Sequence, residues 1–354
     1  MTVALVTGAL GLVGAEVVRG LLDEGFDVVG VDNDMRARFF GAEGSGAWMR
    51  PHLEALPGYR HRELDIRDAD DVTRVVADLG TSLGAVVHAA AQPSHDWAAR
   101  DPRTDFAVNA DGTLNLLEAV RCHAPDAGFV FVSTNKVYGD APNHLPLVED
   151  GTRWRVHPGH PFAERGIDES LSIDQCLHSL FGASKVAADI LVQEYGRYYG
   201  LNTGVFRAGC LTGPGHSGTQ LHGFLAYLVK CALTGTPYTV FGYQGKQVRD
   251  NLHARDLADA FRQFLRAPRP GAVYNMGGGP RRAISVLEAI AWCETHFGLR
   301  VPWRYDDRPR TGDHMWWVTD TGRFRRDYPA WNDTWDLPAI MADLHEGIQA
   351  RLRE

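Results

Sequence analysis

The N-terminal stretch contains the pattern that most restricts how this chain can fold. An apolar run, Val3–Thr7, leads into glycines at positions 8, 11 and 14, and an amphipathic run follows. This order predicts a strand, a tight turn and a helix. Gly8 can form the turn, Gly11 lets a pyrophosphate approach the backbone, and Gly14 lets the helix pack closely on the strand. We therefore predict a phosphate site at the N-terminus of this helix, formed by Gly8, Gly11, Leu12, Val13 and Gly14.

An acidic residue follows the next apolar run at the distance expected for dinucleotide binding. Residues 26–31 are largely apolar and end in Asp32, about twenty residues after the glycines. Three glycines alone could mark an ordinary turn, but an acid in this place can bind the ribose of an adenosine. Because Asp32 would also repel a 2′-phosphate, NAD is favoured over NADP as the cofactor.

Composition excludes several classes of function. The chain has 354 residues, of which 44% are hydrophobic, enough for a large core and one or two domains. A net charge of −8 without a long basic run argues against nucleic acid or an acidic membrane surface as partner. The five cysteines show no metal-ligand spacing and favour reduced thiols, so no metal site is predicted. No apolar run could span a bilayer, and we expect a cytoplasmic protein.

Strand and helix patterns alternate through the first 207 residues. Strands are predicted at 60–64, 85–88, 129–133 and 203–207, and helices at 68–79, 105–123 and 180–199. This alternation predicts an α/β fold with a Rossmann-type, doubly wound parallel sheet, whose ligands bind beyond the carboxyl ends of the strands. The tiny side chains of Ala89, Ala90 and Ala91 after one strand either pack tightly or leave room for the second half of the cofactor.

The regular alternation fails after Ala208. Helices are predicted at 221–234, 254–265 and 285–297, and a strand at 273–276. Residues 140–176 hold several prolines and no clean period, and we expect this long segment to cover the mouth of the active site.

Several motifs, taken in order, resemble the extended short-chain dehydrogenase/reductase family of NAD-dependent nucleotide-sugar epimerases and dehydratases. They are Thr7-Gly8 with the spaced glycines, Asp32, Asp65-Ile66, His88-Ala89-Ala90, Asn109, Ser133-Thr134 before Val137-Tyr138-Gly139, Lys185, Arg249-Asp250, and Arg310 with Asp313. Within the family, residues 133–140 and 245–250 are most similar to the CDP-tyvelose (CDP-paratose) 2-epimerase branch.

The resemblance implies two domains and a set of site residues. Residues 1–207 would form the NAD-binding domain, its last elements returning within about 248–276, and 208–354 would form mainly a smaller α/β domain that binds a sugar nucleotide. The cofactor-binding residues implied are Gly8, Gly11, Leu12, Val13, Gly14, Asp32, Asp65, Ile66, Ala89, Ala90, Ala91, Asn109 and Lys185. The substrate-binding residues implied are Thr134, Asn135, Lys136, Arg249, Arg310 and Asp313.

Individual roles also follow from the resemblance. Asp65 would hydrogen-bond adenine with Ile66 packed beside it, and Asn109 would brace the active-site helix. Thr134 would bond the reacting sugar oxygen, and Lys185 would bind the nicotinamide ribose. Arg249 and Arg310 would meet the diphosphate or ribose of the substrate. Each polar residue has an alternative, in which Thr134 caps a loop, Lys185 is a solvated helix residue and Arg249 forms a surface ion pair.

The chain departs from the family at three places. The family tyrosine four residues before Lys185 is Phe181, which has no hydroxyl to exchange a proton. Asn135-Lys136 stands where a 4,6-dehydratase has Asp-Glu, and Cys210 lies near the place of an asparagine in many relatives. We expect Lys136 to replace the tyrosine as proton acceptor, with His178 as a weaker candidate and a solvated loop lysine as the alternative. The catalytic set predicted is Thr134, Lys136, Lys185 and the Phe181 position.

The resemblance implies an NAD-dependent nucleotide-sugar epimerase that acts on a CDP-linked hexose at C2 through a transient keto sugar. We also expect a homodimer. One alternative is an NAD-dependent sugar-nucleotide oxidoreductase or dehydratase with a base other than tyrosine. A second is a catalytically silent NAD-binding sensor, which the loss of the tyrosine favours.

Overall fold

The computed structural model describes residues 2–353. Its strands are β1 (Val3–Thr7), β2 (Asp27–Val31), β3 (Tyr59–Arg62), β4 (Leu83–His88), β5 (Gly128–Thr134), β6 (Leu147–Asp150), β7 (Arg153–Val156), β8 (Asn202–Ala208), β9 (Cys210–Thr212), β10 (Tyr238–Phe241), β11 (Val248–His253), β12 (Ala272–Met276), β13 (Ala283–Ser285), β14 (Trp303–Asp306) and β15 (Trp316–Trp317).

Helices connect most of these strands. They are α1 (Leu12–Asp23), α2 (Met35–Phe40), α3 (Met49–Glu54), α4 (Ala69–Leu79), α5 (His95–Arg100), α6 (Pro102–Phe106), α7 (Gly112–His123), α8 (Ser179–Tyr199), α9 (Phe224–Thr234), α10 (Ala254–Arg266), α11 (Val286–Phe297), α12 (Gly322–Asp327) and α13 (Leu337–Arg351). A π-helical turn, Ala107–Asp111, joins α6 to α7, so the helix predicted at 105–123 is interrupted.

The central sheet has seven parallel strands in the order β12-β8-β5-β4-β1-β2-β3. The chain order reverses between β1 and β4, which creates a crevice at their carboxyl ends. The predicted α/β fold with a doubly wound parallel sheet is therefore confirmed.

Apolar side chains cover both faces of this sheet. One cluster joins its strands to α1 and α10, and a second joins them to α4, α7 and α8. The strands read as continuous apolar runs because both of their faces are buried.

A further apolar cluster lies in the C-terminal part, where α9, α11 and α13 pack around β10. Beside it, β11 pairs with β9, β13 and β15, and β10 pairs with β14. The chain returns to the central sheet, because β12 completes that sheet next to β8 and Phe324 of α12 joins its apolar core. The division into a cofactor domain and a substrate domain at residue 207 remains a prediction.

The segment 140–176 packs beside the small C-terminal sheet. Its strands β6 and β7 form an antiparallel hairpin, and Val156 and Ile167 are buried with Trp316 and Trp317. No residue of this segment lines the cavity described below. The expectation that it covers the active-site mouth is therefore wrong, because its apolar side chains are buried against another surface.

Across residues 2–353, every helix falls short of the length and apolar character that crossing a bilayer requires.

Candidate functional site

A cavity of about 400 Å³ lies at the carboxyl ends of the central parallel strands. Its N-terminal wall comprises the lining residues between 8 and 108, among them the glycine turn. Its C-terminal wall comprises those between 208 and 313, and its floor is formed by 132–136, Phe181 and Lys185. Because open parallel sheets bind their ligands at this edge, the cavity is the candidate active site.

The glycine turn is built for close approach of backbone to backbone. Gly8 has φ of +70°, and a Cβ there would lie 2.7 Å from a backbone nitrogen of the loop after β4. A Cβ on Gly14 would lie 2.0 Å from the carbonyl oxygen of Gly8, so α1 can pack this close to β1 only without a side chain. Gly11 caps α1 without a side-chain hydrogen bond, which leaves the N–H groups of Leu12 and Val13 at the cavity.

Asp32 lies at the carboxyl end of β2 and lines the N-terminal wall. Its carboxylate oxygens accept backbone hydrogen bonds from Leu10 at 2.9 Å and Asp34 at 2.8 Å. Burial raises the pKa of Asp32, although these two hydrogen bonds oppose the change. Each oxygen retains a further lone pair, so the carboxylate can accept from ribose hydroxyls as the sequence predicted.

Arg36 also lines the cavity, and sequence reasoning missed it. Its guanidinium donates to the carbonyl oxygens of Gly44 at 3.0 Å and Ser217 at 3.1 Å. Since Ser217 belongs to the C-terminal wall, Arg36 connects the two walls beside Asp32. The contact joins segments 181 residues apart, so no local pattern could have revealed it.

Asp65 and Ile66 follow β3 and line the N-terminal wall. Arg67 donates to the Asp65 carboxylate at 2.6 Å and lowers its pKa. An ionised carboxylate at this position can accept a hydrogen bond from an amino group such as that of adenine.

Ala89, Ala90 and Ala91 line the same wall, whereas Asn109 does not. Asn109 is buried, and its amide nitrogen donates to the Gln92 carbonyl and to Ser184 Oγ, both at 3.0 Å. The direct cofactor contact expected of Asn109 is corrected, because its amide is fully used in bracing the loop after β4 against α8.

Lys185 is buried at the cavity floor rather than solvated. Its Nζ donates to the Val132 carbonyl at 2.9 Å and lies 4.2 Å from the ring centre of Phe131. Burial lowers the pKa of Lys185 to about 8, while Asp189 and Asp105 oppose the change. The ammonium group is thus fixed at the point where β5 meets the cavity.

Thr134 ends β5, Asn135 and Lys136 begin the 3₁₀ turn that follows, and all three line the cavity. The Thr134 hydroxyl accepts from the backbone N–H of Lys136 at 3.2 Å. Burial, followed by the charge of Arg249, lowers the pKa of Lys136 to about 8, and Asp313 opposes this change. Lys136 therefore has a substantial neutral fraction near physiological pH, which a solvated lysine lacks.

Arg249, Arg310 and Asp313 meet on the C-terminal wall. Arg249 donates to the Asp313 carboxylate, so its expected role in binding a diphosphate is shared with an internal ion pair. Although burial raises the pKa of Asp313, the charges of Arg249 and Lys136 outweigh it and hold the pKa at about 2. Arg310 donates to the carbonyl of Leu221, which leaves it without a carboxylate partner among the described residues.

The N-terminus of α9 also lines the C-terminal wall, through Gly223, Phe224 and Leu225. Gly223 caps this 11-residue helix with φ of +82° and provides no side-chain hydrogen bond. The free N–H groups of its first turn add positive potential beside Arg310, which bonds the carbonyl of Leu221 two residues before Gly223. The helix predicted at 221–234 begins three residues later, at Phe224, so its N-terminus was not recognised from the sequence.

Phe181 faces the cavity at the first turn of α8, where the family has its tyrosine. His95 packs edge-on against the Phe181 ring, with centroids 4.9 Å apart, and bonds Ser179 Oγ at 2.9 Å. Burial, with Lys136 and Arg310 nearby, lowers the pKa of His95 to about 3. His178, the second candidate base, lies outside the cavity lining and bonds the Val137 carbonyl at 2.9 Å.

Two further side chains were not identified from the sequence as interacting with Lys136. Cys210 lines the C-terminal wall, and burial raises the pKa of its thiol to about 11, so it carries no thiolate at neutral pH. His314 directly follows Asp313 and lies 3.4 Å from Lys136 Nζ. In the sequence, the only sign that His314 belongs near the site is its position directly after Asp313.

The N-terminal wall fits a dinucleotide. It combines a cavity-lining turn whose glycines carry no side chain, free N–H groups at the start of α1, and the Asp32 carboxylate at the end of β2. Within residues 2–353, no group of histidine, cysteine and acidic side chains could hold a metal ion.

Sequence comparison finds relatives over most of the chain. The family described as "NAD dependent epimerase/dehydratase family" matches residues 4–277. The CDP-paratose 2-epimerase of Salmonella typhi is 32% identical over 324 residues, 89% of this chain and 90% of that protein. The dTDP-glucose 4,6-dehydratase of Xanthomonas campestris pv. campestris (strain B100) is 31% identical over 336 residues, 92% of this chain and 84% of that protein.

Solved structures share the fold over the whole chain. UDP-glucose 4-epimerase of Thermus thermophilus, in complex with NAD, aligns with a TM-score of 0.77 at 25% identity, covering 98% of this chain and 99% of that one. UDP-glucuronic acid 4-epimerase of Bacillus cereus, with UDP-glucuronic acid and NAD, aligns with a TM-score of 0.79, covering 99% of this chain and 100% of that one. At 22% identity, this second likeness concerns the fold alone.

Proposed function

The chain belongs to the NAD-dependent epimerase/dehydratase family and uses NAD as its cofactor, and we propose that it epimerises a CDP-linked hexose at C2. The reaction would pass through a transient keto sugar. The choice of nucleotide and carbon is supported by the 32% identity to a CDP-paratose 2-epimerase. It is also supported by the loop from Ser133 to Asp140, whose sequence resembles that branch of the family.

Each wall of the cavity has a separate part in this reaction. NAD, when bound, supplies an acceptor for a hydride and later returns it. The glycine turn and Asp32 would hold the cofactor, and Lys185 would bind its nicotinamide ribose. Thr134 would orient the reacting hydroxyl, and Lys136 would take the hydroxyl proton and return it.

The site favours an epimerase over a 4,6-dehydratase. Elimination of water from a sugar needs a protonated acid next to the reacting carbons. The positions after Thr134 carry Asn135 and Lys136 instead, and the nearby Asp313 remains ionised because its pKa lies at about 2. A dehydratase would therefore lack its acid at this loop, despite the 31% identity to a dTDP-glucose 4,6-dehydratase.

The observation that carries the proposal is the amine of Lys136 at the cavity floor, two residues from Thr134 and with its pKa lowered to about 8. This amine can serve as a general base where Phe181 cannot. Phe181 favours a second candidate, an NAD-binding sensor without catalysis. Burial and the charge of Arg249 lower the proton affinity of the Lys136 amine, which proton transfer requires and a protein that only senses NAD does not.

The substrate diphosphate would bind between Arg310 and the N-terminus of α9. Arg310 donates to a backbone carbonyl and can also bind a phosphate oxygen. Arg249 would contribute its charge while remaining paired with Asp313.

The function is tested by incubating the protein with CDP-, UDP- and dTDP-hexoses and following the sugar by NMR. A new C2 epimer from a CDP-hexose is the expected result. A keto or unsaturated product would replace the epimerase with an oxidoreductase or dehydratase. Unchanged sugars, with NAD bound, would favour the sensor.

A homodimer would be formed through α8. Leu180, Ile190, Tyr198 and Tyr199 on this helix are exposed. A helix that exposes several large apolar side chains offers surface for contact with a second copy of the chain. Light scattering should give a dimer for the wild type and a monomer for Ile190→Asp, and a monomeric wild type would contradict the proposal.

A further inference from the structure

His314 is held in one protonation state and one orientation. It is fully buried, and its ring stacks on Trp317 with centroids 5.5 Å apart. Its Nε2 lies 2.8 Å from the carbonyl oxygen of Gly139. A carbonyl can only accept, so Nε2 carries the hydrogen.

The other ring nitrogen faces Lys136. His314 Nδ1 lies 3.4 Å from Lys136 Nζ, a long hydrogen bond of the kind that tightens when a substrate binds. Burial, together with Lys136 and Arg249, keeps the pKa of His314 well below its usual value, so the ring is neutral. In a neutral ring with hydrogen on Nε2, Nδ1 can only accept, and Lys136 must be the donor.

We propose that His314 is the positioning residue of Lys136, holding one N–H of the amine so that its lone pair is presented to the substrate hydroxyl. This inference rests on the proposed role of Lys136. It goes further, because it assigns a function to a histidine outside the cavity lining and explains how a flexible lysine could replace a rigid tyrosine. Four rotatable bonds would otherwise spread the amine over many positions.

The proton transfer is balanced without any further reagent. The substrate O–H bond breaks, its proton moves to the lone pair of Lys136 Nζ, and the neutral amine becomes ammonium. One N–H bond remains directed at His314 Nδ1 throughout. In the reverse step the same proton returns to the oxygen.

The amine also responds to charged and titratable groups on the surrounding elements. These are Arg249, Asp313, Cys210, Arg310, His95 and His314. Arg249 and Arg310 oppose the ammonium form, whereas Asp313 favours it. The hydrogen bond to His314 also favours ammonium, so its removal should lower the pKa of Lys136.

The chain offers a direct measurement of this pKa, because it contains only four lysines, at positions 136, 185, 230 and 246. Lysine labelled with ¹³C at Cε gives few NMR signals, and Lys136→Met identifies the one to follow. In His314→Leu we expect the Lys136 titration midpoint to fall by about one pH unit, the size that a charged hydrogen bond supports. In His314→Gln, whose amide oxygen can accept, the midpoint should lie closer to that of the wild type.

The control is His253→Gln. His253 is also fully buried and stacked on a tryptophan, and its Nε2 bonds Asp343 at 2.9 Å, but it lies outside the cavity lining. Its loss should leave the Lys136 signal unchanged. Thermal unfolding and NAD binding establish whether each variant is folded. If His314→Leu is not folded, the titration of Lys136 is compared between the wild type and His314→Gln.

Kinetics separate positioning from structural support. We expect His314→Leu to lower kcat by roughly ten- to a hundredfold, with KM within a few-fold, and His314→Gln to recover most of the loss. An unchanged Lys136 titration in His314→Leu overturns the proposal whatever happens to kcat. Because the titration needs no turnover, it distinguishes this failure from failure of the epimerase assignment, which the sugar-nucleotide assay alone decides.

Discussion

The two walls of the cavity are constructed differently. The N-terminal wall presents mostly backbone, through the glycine turn and the free N–H groups of α1, and its elements follow one another in the chain. The floor and the C-terminal wall present charged side chains, and these pair over long sequence distances with each other or with a buried side chain behind the lining. Lys136 meets His314 across 178 residues, and Arg249 meets Asp313 across 64.

This difference predicts which part of the cavity tolerates amino-acid substitutions and which part depends on individual side chains. A backbone cradle tolerates many sequences, provided that glycine stays where a Cβ would collide. The chemistry of the C-terminal wall and floor depends on single side chains whose pKa values are set by one another. We therefore expect substitutions at Lys136 or Arg310 to change catalysis or substrate affinity while NAD binding persists, and substitutions in the glycine turn to act first on the fold and the cofactor.

The largest effect is expected from Lys136→Met. Removing a general base should lower kcat by ~10²–10⁴-fold while the affinities for NAD and sugar nucleotide stay within a few-fold. The measurement is steady-state epimerisation with calorimetric binding. Lys230→Met, which removes a lysine paired with Glu43 outside the cavity lining, is the control. If Lys136→Met is harmless and Phe181→Tyr instead raises turnover, the enzyme is a disabled tyrosine enzyme.

The pH dependence of kcat/KM in the wild type should reflect the ionisation of the Lys136 amine. The pKa of Lys136 is lowered to about 8, and the neutral amine is the form that accepts a proton. Thus kcat/KM should rise by about tenfold per pH unit below pH 8 and level off above it. A profile that is flat between pH 6 and 9 would mean that Lys136 does not limit the reaction.

The next effect concerns the substrate alone. Arg310→Ala should weaken sugar-nucleotide binding by roughly ten- to a hundredfold, the cost of a lost charged hydrogen bond, and leave NAD binding unchanged. Arg249→Ala should also alter the pH profile, because it leaves Asp313 beside Lys136 without its arginine. Calorimetry with NAD and with the sugar nucleotide measures the affinity of each variant for the two ligands. Equal losses for NAD and substrate would show that the two walls do not bind separate ligands.

The same difference explains what could be predicted from the sequence. The order of strands and helices and the glycine turn follow from local apolar periodicity and turn residues, which is why the doubly wound sheet was confirmed. The placement of 140–176 could not be predicted, because it depends on contacts of Val156 and Ile167 with tryptophans about 150 residues away. His314 and Arg36 were missed for the same reason. Their roles arise from partners brought together only by the fold.

A smaller effect, on the N-terminal wall, is expected from glycine substitutions within α1. Gly14→Ala places a Cβ 2.0 Å from the Gly8 carbonyl oxygen and should destabilise the protein by about 1–3 kcal/mol and weaken NAD binding. Gly20→Ala, in the same helix, places its Cβ 3.4 Å from the flexible Arg262 side chain and should be neutral or stabilising. Thermal unfolding compares the two. Equal melting temperatures would show that the close packing of α1 on β1 is not required.

The smallest effect concerns stability alone and involves Asp250, in β11 behind the C-terminal wall. Its Oδ2 accepts from the backbone N–H groups of Gly279 and Thr319, both at 2.9 Å, while Oδ1 is buried without a partner. Burial raises the pKa of Asp250 to about 6, above the ordinary value of 3.8. The folded protein therefore holds this proton more tightly than the unfolded chain, so the contribution to stability is complete below pH 3.8 and is lost as the pH rises through 6.

Asp250→Asn removes this ionisation while its amide oxygen can still accept both N–H groups. The stability of the variant relative to the wild type should thus improve between pH 4 and 7 by on the order of 1–3 kcal/mol. Urea unfolding at several pH values measures the difference, with the exposed Asp70→Asn as control. A difference that stays constant over this range would show that the buried Oδ1 is solvated in the folded protein, and the charged groups of the C-terminal wall would then be less isolated from water than the geometry indicates.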